Sequence, residues 1–179
     1  MATTVGAEPY TVDDLDAMPD DGRRRELIDG TLIVTPAPAL WHQKASAELH
    51  VLLYHSIPPQ LMAVTAPFDW RLSRRTQFEP DILVMPDTNE NLKRLEETPE
   101  LVVEILSKST RRIDLTVKLA AYQDAGVPRY WVFDPDIPAL TVFALDAAGQ
   151  FVEVAQVQRD ATYIDPTWGT IVTPSAVRP

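Results

Sequence analysis

The run at residues 99–135, PELVVEILSKSTRRIDLTVKLAAYQDAGVPRYWVFDP, decides the fold, parsing as strand, loop, helix and strand. Leu101-Val102-Val103-Glu104-Ile105-Leu106 is short, apolar and largely β-branched, the composition of a strand covered on both faces. Glu104 interrupts it. An ionised carboxylate left unpaired inside a sheet costs several kcal/mol, so the fold must supply a cation, a proton or a hydrogen-bonded partner. The helix is expected from about residue 114 to 125, closed by Gly126 and then Val127-Pro128. Leu115, Leu119 and Tyr122, at i, i+4 and i+7, make its predicted buried stripe. Lys118 stands along that stripe rather than opposite it, so it can point at the sheet and reach Glu104.

Downstream, Tyr130-Trp131-Val132-Phe133 reads as a buried strand stopped by Asp134-Pro135, with Tyr130 and Trp131 in the core. Residues 140–145 and 151–154 flank Ala147-Ala148-Gly149 as a hairpin. From Tyr163 onward, prolines and isolated apolar residues define no element. Upstream, residues 10–18 read as a short helix with Thr11 as N-cap, ending before Pro19, and Asp20-Asp21-Gly22 as a turn. Residues 25–28 and 31–34 around Asp29-Gly30 give a strong hairpin signal, with Glu26 on the first strand. Thr35-Pro36-Ala37-Pro38 cannot continue a ladder. A helix from residue 41 to about 56 carries Trp41, Ala45, Leu49 and Leu52 on one side, with His42 and Glu48 on or beside its buried edge, and Pro58-Pro59 ends it. Residues 62–72 read as a strand in which Pro67 marks an edge or bulge. Residues 78–85 read as another, with Asp81 at the mouth of its apolar run, and residues 89–97 as a charged loop or helical turn. No internal repeat or low-complexity segment is visible. This order predicts an α/β fold, a mixed central β-sheet flanked by helices, as one domain over residues 1–179 with its core at about 22–155.

Composition narrows the chemistry. Without cysteine, neither disulfides nor a thiolate metal site is available, so any metal must be held by oxygen or imidazole. No apolar run reaches the length of a membrane span, and the N-terminus lacks the basic start and apolar core of a signal peptide, which predicts a cytoplasmic protein. A formal charge of −10 argues against a polyanion as partner, but residues 70–120 hold nine Lys/Arg and nine Asp/Glu and are neutral. A nucleic acid would therefore bind around this segment; the plain alternative is an acidic, solvated surface.

Three charged residues converge if sequential strands are neighbours: Asp81 at the start of one core strand, Glu104 inside the next, and Lys118 on the helix that follows. Two carboxylates with no thiol or histidine pair are ligands of the kind Mg²⁺ or Mn²⁺ prefers. A lysine beside them can orient or deprotonate a water, or neutralise charge on a phosphoryl oxygen. That chemistry is phosphodiester hydrolysis. The plain reading of Glu104 and Lys118 is a buried structural ion pair.

Pro80-Asp81, a glutamate in an apolar strand and a lysine after it resemble the PD-(D/E)XK nuclease superfamily. More narrowly, the runs ELIDG, PDILVM, LVVEILSKST, DLTVKLAAY and AGVPRYWVFDP are similar to the Uma family of restriction-endonuclease-like proteins, long filed as a domain of unknown function. The resemblance spans roughly residues 26–134. It implies a restriction-endonuclease-like core with an N-terminal and a C-terminal β-hairpin, and a Mg²⁺- or Mn²⁺-dependent endonuclease acting on DNA. Asp81 and Glu104, with the main-chain carbonyl of Ile105, would bind the metal and Lys118 would assist the attacking water. Glu26 and His42 match further positions, for a second metal, water positioning or substrate contact. The superfamily lysine should stand at position 106, where this chain has Leu106; the family implies its transfer to the following helix, which Lys118 fits. A homodimer is implied at family level, since two-fold symmetry suits two strands. Ser107-Lys108-Ser109-Thr110-Arg111-Arg112 reads as a solvated loop and cap or as a phosphate-contacting loop. The rival functions are a non-catalytic interaction module that keeps the fold, and a carboxylate-pair glycosidase without metal, for which no aromatic groove is evident.

Overall fold

The computed structural model describes residues 9–19 and 21–177. The N-terminal residues 1–8, Asp20 of the expected turn, and the last two residues of the tail lie outside them. Thr11 caps α1 (Val12–Asp16): its side chain accepts from the Asp14 N–H while the Asp14 carboxylate accepts from the Thr11 N–H, a reciprocal capping box. β1 (Arg24–Ile28) and β2 (Thr31–Thr35) pair in the expected hairpin. Asp29 and Gly30 take φ of 46° and 78°, the left-handed conformations that a two-residue turn requires. At Gly30 a Cβ would also stand 2.5 Å from that of Pro9.

α2 (Leu40–Ser56) buries Ala45, Leu49 and Leu53 at i, i+4 and i+8. The expected stripe through Trp41 and Leu52 is rotated: Leu52 is half-buried and Trp41 overhangs a cavity, 44% exposed. The predicted strand at 62–72 divides around Pro67 into β3 (Leu61–Thr65) and β4 (Asp69–Ser73). The one at 78–85 divides around Pro80 into β5 (Thr76–Phe78) and β6 (Ile82–Pro86). Each proline ends a ladder because it has no N–H to give, and the chain passes from one sheet to the other there. The charged loop holds only β7 (Arg94–Leu95). β8 (Leu101–Ile105) leads to α3 (Arg111–Ile113), a π-helical turn (Asp114–Lys118) and α4 (Leu119–Asp124), then β9 (Arg129–Asp134). β10 (Ala139–Leu145) and β11 (Phe151–Gln158) form the second hairpin. The unassigned tail supplies β12 (Tyr163–Ile164), β13 (Ile171–Val172) and α5 (Pro174–Val177).

Two large sheets and a two-stranded β12-β13 ladder result, in the mixed α/β architecture that the element order predicts. One has six strands, β11-β10-β9-β8-β6-β3, parallel only between β8 and β9; the other has five, β2-β1-β5-β4-β7. The parallel pair is joined by the helical segment, the crossover that parallel strands need. All five residues of β8 are buried. Leu101, Val103 and Ile105 face a core with Leu49 and Leu53 of α2, to which Val172 and Val177 also contribute. Val102 faces a second core of Trp70, Phe78, Tyr122 and Tyr130. By the two-residue period of a strand, Glu104 points to that second side, between the sheets.

The helix departs from the expectation in a way that matters for the site. It begins at Arg111 and passes through the π turn, so Asp114, Lys118 and Tyr122 are buried while Leu115 is 37% exposed. The predicted stripe through Leu115 is therefore replaced by one that carries a carboxylate, an ammonium and a phenol. The buried set stands at i, i+4 and i+8, one residue ahead of the expected Leu115-Leu119 stripe, and the π turn over Asp114–Lys118 lies within it.

Candidate active site

Antiparallel pairing of β6 with β8 matches Ile82 to Val103, so the residue before β6 lies beside the end of β8. Asp81 is that residue. Its Oδ2 accepts the Ile105 N–H at 2.7 Å and has His42 Nε2 at 3.2 Å, and its Oδ1 accepts from Arg24 Nη1 at 2.9 Å. The N–H and C=O of an extended residue leave on the same strand edge, so the Ile105 carbonyl also faces the β6 side. Glu104 Oε1 accepts from Lys118 Nζ at 2.9 Å and from the Tyr122 hydroxyl at 2.7 Å, while Oε2 lies 3.8 Å from Arg24 Nη2. Lys118 also donates to Glu26 Oε1 at 2.8 Å and stands 3.5 Å from Asp114 Oδ1. Glu26 Oε1 takes the Glu79 N–H at 3.0 Å. All five expected side chains, Glu26, His42, Asp81, Glu104 and Lys118, thus meet at the joint between the two sheets. Glu48 has no place in this set.

Sequence reasoning passed over three members. Arg24 precedes Glu26 by two residues on β1 and shares its face, a signal readable from strand period. Its guanidinium contacts Asp81, Glu26 Oε1 at 3.4 Å, Glu104 and the Glu79 carbonyl, and its Nε stands 3.7 Å from Glu79 Oε1 without a hydrogen bond. Asp114 and Tyr122 stand four residues either side of Lys118. Asp114 is 1% exposed, and neither of its carboxylate oxygens accepts a hydrogen bond.

The electrostatics are unbalanced. Five carboxyl groups, Glu26, Glu79, Asp81, Glu104 and Asp114, share two fixed cations, Arg24 and Lys118. Burial opposes charge on each acid, and the local partners decide the outcome. Asp81 overcomes burial through His42, Arg24 and the Ile105 amide and is held at about 2. Glu26 is likewise lowered, by Lys118 and Arg24. Burial pushes Glu104 up to about 8, with Asp81 and Asp114 adding repulsion that Lys118 only partly offsets, and it pushes Glu79 up to about 7 and Asp114 above its ordinary range. Lys118 is desolvated, yet Glu104 and Glu26 raise its pKa, so it stays an ammonium. In this arrangement it cannot take a proton from water at neutral pH.

Asp81, Glu104 and Asp114 line a cavity of about 450 Å³, together with Arg24, His42 and Ser107 to Thr110. A second, of about 780 Å³, shares Arg24, His42 and Asp81 and runs along α2 past His50. Among the described residues no three or more His, Cys, Asp or Glu side chains are already spaced around one metal position. The reason is visible at Asp81, whose oxygens are taken by Arg24, His42 and Ile105. The donor chemistry nevertheless suits a hard divalent cation, since the set is carboxylate and carbonyl oxygen with an excess of negative charge.

A family profile, Uma2, described as "Putative restriction endonuclease", matches residues 12–168. The chain is also similar in structure to a "putative nuclease belonging to DUF820" from Anabaena variabilis, with a TM-score of 0.75 and 19% identity over 94% of this chain and 97% of that one. At that identity the likeness shows the fold, a restriction-endonuclease-like one. No curated protein matches the chain.

Proposed function

The chain belongs to the Uma2 family, and from that premise we propose that it is a Mg²⁺- or Mn²⁺-dependent endonuclease that hydrolyses DNA phosphodiester bonds at the joint between its two sheets. Nuclease action on DNA follows from the family; the metal and the residue roles are our reading. One observation carries it: Asp81 and Glu104 reach the same cavity wall within a cluster that holds more carboxylates than cations. Asp81, Glu104 and the Ile105 carbonyl would hold the cation. When bound, it supplies Lewis-acid chemistry, lowering the pKa of a water and neutralising charge on a phosphate.

The chain's own residues prepare that site. Lys118 and Tyr122 fix Glu104 through Oε1 and leave Oε2 facing Arg24. The persistent ammonium suits Lys118 to charge compensation and to orienting Glu104 rather than to proton abstraction. Glu26 holds Lys118 from the other sheet, and His42 holds Asp81 from α2. The loop from Ser107 to Thr110, with Lys108, borders the cavity where a phosphate would lie. A cytoplasmic homodimer, with one site per strand, completes the reading; sedimentation at twice the monomer mass is its check.

The test is calorimetric titration of Mn²⁺ and Mg²⁺ into the wild type, Asp81→Asn and Glu104→Gln, with folding checked by circular dichroism. Binding by the wild type that both substitutions abolish, with the fold intact, supports the site, and cleavage assays with Lys118→Ala follow. The burial of Lys118 among Glu26, Glu104 and Asp114 favours a second reading, a nuclease-fold interaction module with a structural ion pair. No binding at millimolar metal, together with lost stability in Glu104→Gln, selects it.

A further inference from the structure

Arg24 is the one side chain in the cluster that touches both Asp81 and Glu104 as a cation: Nη1 is 2.9 Å from Asp81 Oδ1 and Nη2 is 3.8 Å from Glu104 Oε2. These are the oxygens that remain after Ile105 and His42 have taken Asp81 Oδ2 and after Lys118 and Tyr122 have taken Glu104 Oε1. Asp81 and Glu104 would hold a divalent cation with the least rearrangement through these oxygens. The guanidinium also meets Glu26 and Glu79, so its positive charge serves four acids, yet its Nε makes no hydrogen bond, only a 3.7 Å ion pair with Glu79, and its fork engages no carboxylate bidentately. Its side chain is 17% exposed, while Lys118 is at 1%. One cation is locked into the core and the other stands at the cavity wall.

We propose that Arg24 is the resident cation of the metal position: its guanidinium neutralises Asp81 and Glu104 when no metal is bound and must leave Asp81 Oδ1 for a divalent ion to enter. Arg24 is thus a competitor that sets metal affinity, and not a metal-positioning residue. The inference rests on the reading of Asp81 and Glu104 as the metal ligands. It has an opposite sign to the usual one. An outer-shell residue that orients ligands typically costs about 10–100-fold in metal affinity when removed, whereas loss of a competitor raises affinity.

The experiment is titration of Mn²⁺ into the wild-type protein, Arg24→Lys and Arg24→Gln by calorimetry, with thermal unfolding at each metal concentration. Arg24→Lys decides between occupancy and simple charge repulsion, because it keeps the charge and loses the guanidinium fork. We expect Arg24→Lys to bind Mn²⁺ several-fold tighter than wild type and Arg24→Gln about 10-fold tighter or more. We also expect both variants to unfold at lower temperature without metal and to regain most of the loss with it. Arg24→Gln that folds only when Mn²⁺ is present supports the inference equally. Should Arg24→Gln fail to fold at all, the affinity of Arg24→Lys decides alone. Wild type binding Mn²⁺ with Arg24→Lys equal or weaker overturns the resident-cation role and leaves the metal site standing. Absence of binding in the wild type and both variants removes the metal site itself, and this inference with it.

Discussion

Two buried charge clusters in this molecule solve the same physical problem in opposite ways. At the start of β9, Arg129 meets Asp165 at 3.4 Å and its guanidinium stacks 3.6 Å over Trp168. Asp165 then accepts the Trp168 N–H at 2.8 Å and the Tyr163 hydroxyl at 3.3 Å. One acid faces one base and both carboxylate oxygens are used. The cluster around Glu104 has five acids, two fixed cations, an Asp114 carboxylate that accepts nothing and an Arg24 Nε that donates nothing. The balanced cluster is satisfied by the chain itself, while the unbalanced one relieves its excess charge by keeping protons on Glu79 and Glu104, the condition under which an external cation would be accepted.

Removing the central cation should show the largest difference. Lys118→Met strands Glu26 and Glu104 in the core and is expected to cost about 3–5 kcal/mol in urea unfolding. Arg129→Met, with a neighbouring carboxylate that keeps two other donors, should cost about 1–3 kcal/mol. Equal costs would break the comparison. Next in size is metal linkage: Mn²⁺ at a hundredfold over its Kd should stabilise the wild type by about 2.7 kcal/mol. That gain should persist in Asp165→Asn and vanish in Asp81→Asn, read as the shift in thermal midpoint.

The pH response is smaller and has a definite sign. Glu79 and Glu104 rise from 4.5 to about 7 and about 8, chiefly through burial. Between these limits the folded chain keeps protons that the unfolded chain has released, so metal-free stability should fall as pH rises from 4.5 to about 8. Asp81, depressed to about 2 against burial by His42 and Arg24, acts the other way, and its contribution is lost only as pH drops below 3.8. Denaturant midpoints across pH 4.5–8 that do not fall, or whose fall is unchanged in Glu79→Gln, would contradict the imbalance. The smallest effect is expected at Asp114→Asn, which removes a buried carboxylate with no hydrogen bond and only a 3.5 Å contact to Lys118, and should raise metal-free stability by up to about 1 kcal/mol. A loss above about 2 kcal/mol would mean that this carboxylate holds structure.

The sequence made much of this legible, because the features that were read are local or periodic. β8 announced itself by composition, the Asp29-Gly30 hairpin by its turn, and the meeting of Asp81 with Glu104 by strand adjacency. Lys118 was found because one charge on an apolar stripe is out of place. What stayed hidden depends on departures from ideal period or on distant partners. The buried stripe runs through Asp114 and not Leu115, a choice between adjacent positions in which apolar spacing favours the leucine. Arg24 was passed over although it shares a strand face with Glu26, because its contact with Asp81 is made across 57 residues. The division of two predicted strands at Pro67 and Pro80 had its signal in the prolines themselves, which marked where ladders stop but not that the chain changes sheet.

The hydrogen bond from Arg24 to Asp81 closes a loop of 57 residues, and that from the Glu79 amide to Glu26 one of 53. No fragment of the chain carries the site in miniature. Closing such long loops is entropically costly before any contact rewards it, so the cluster assembles among the slower events of folding. A nascent or partly unfolded chain therefore has its acids scattered and solvated, and the proposed capacity to hold a cation there would arrive with completion of the joint between the sheets. Affinity for that cation is then a gauge of whether the whole chain has folded, measurable long before any substrate is known.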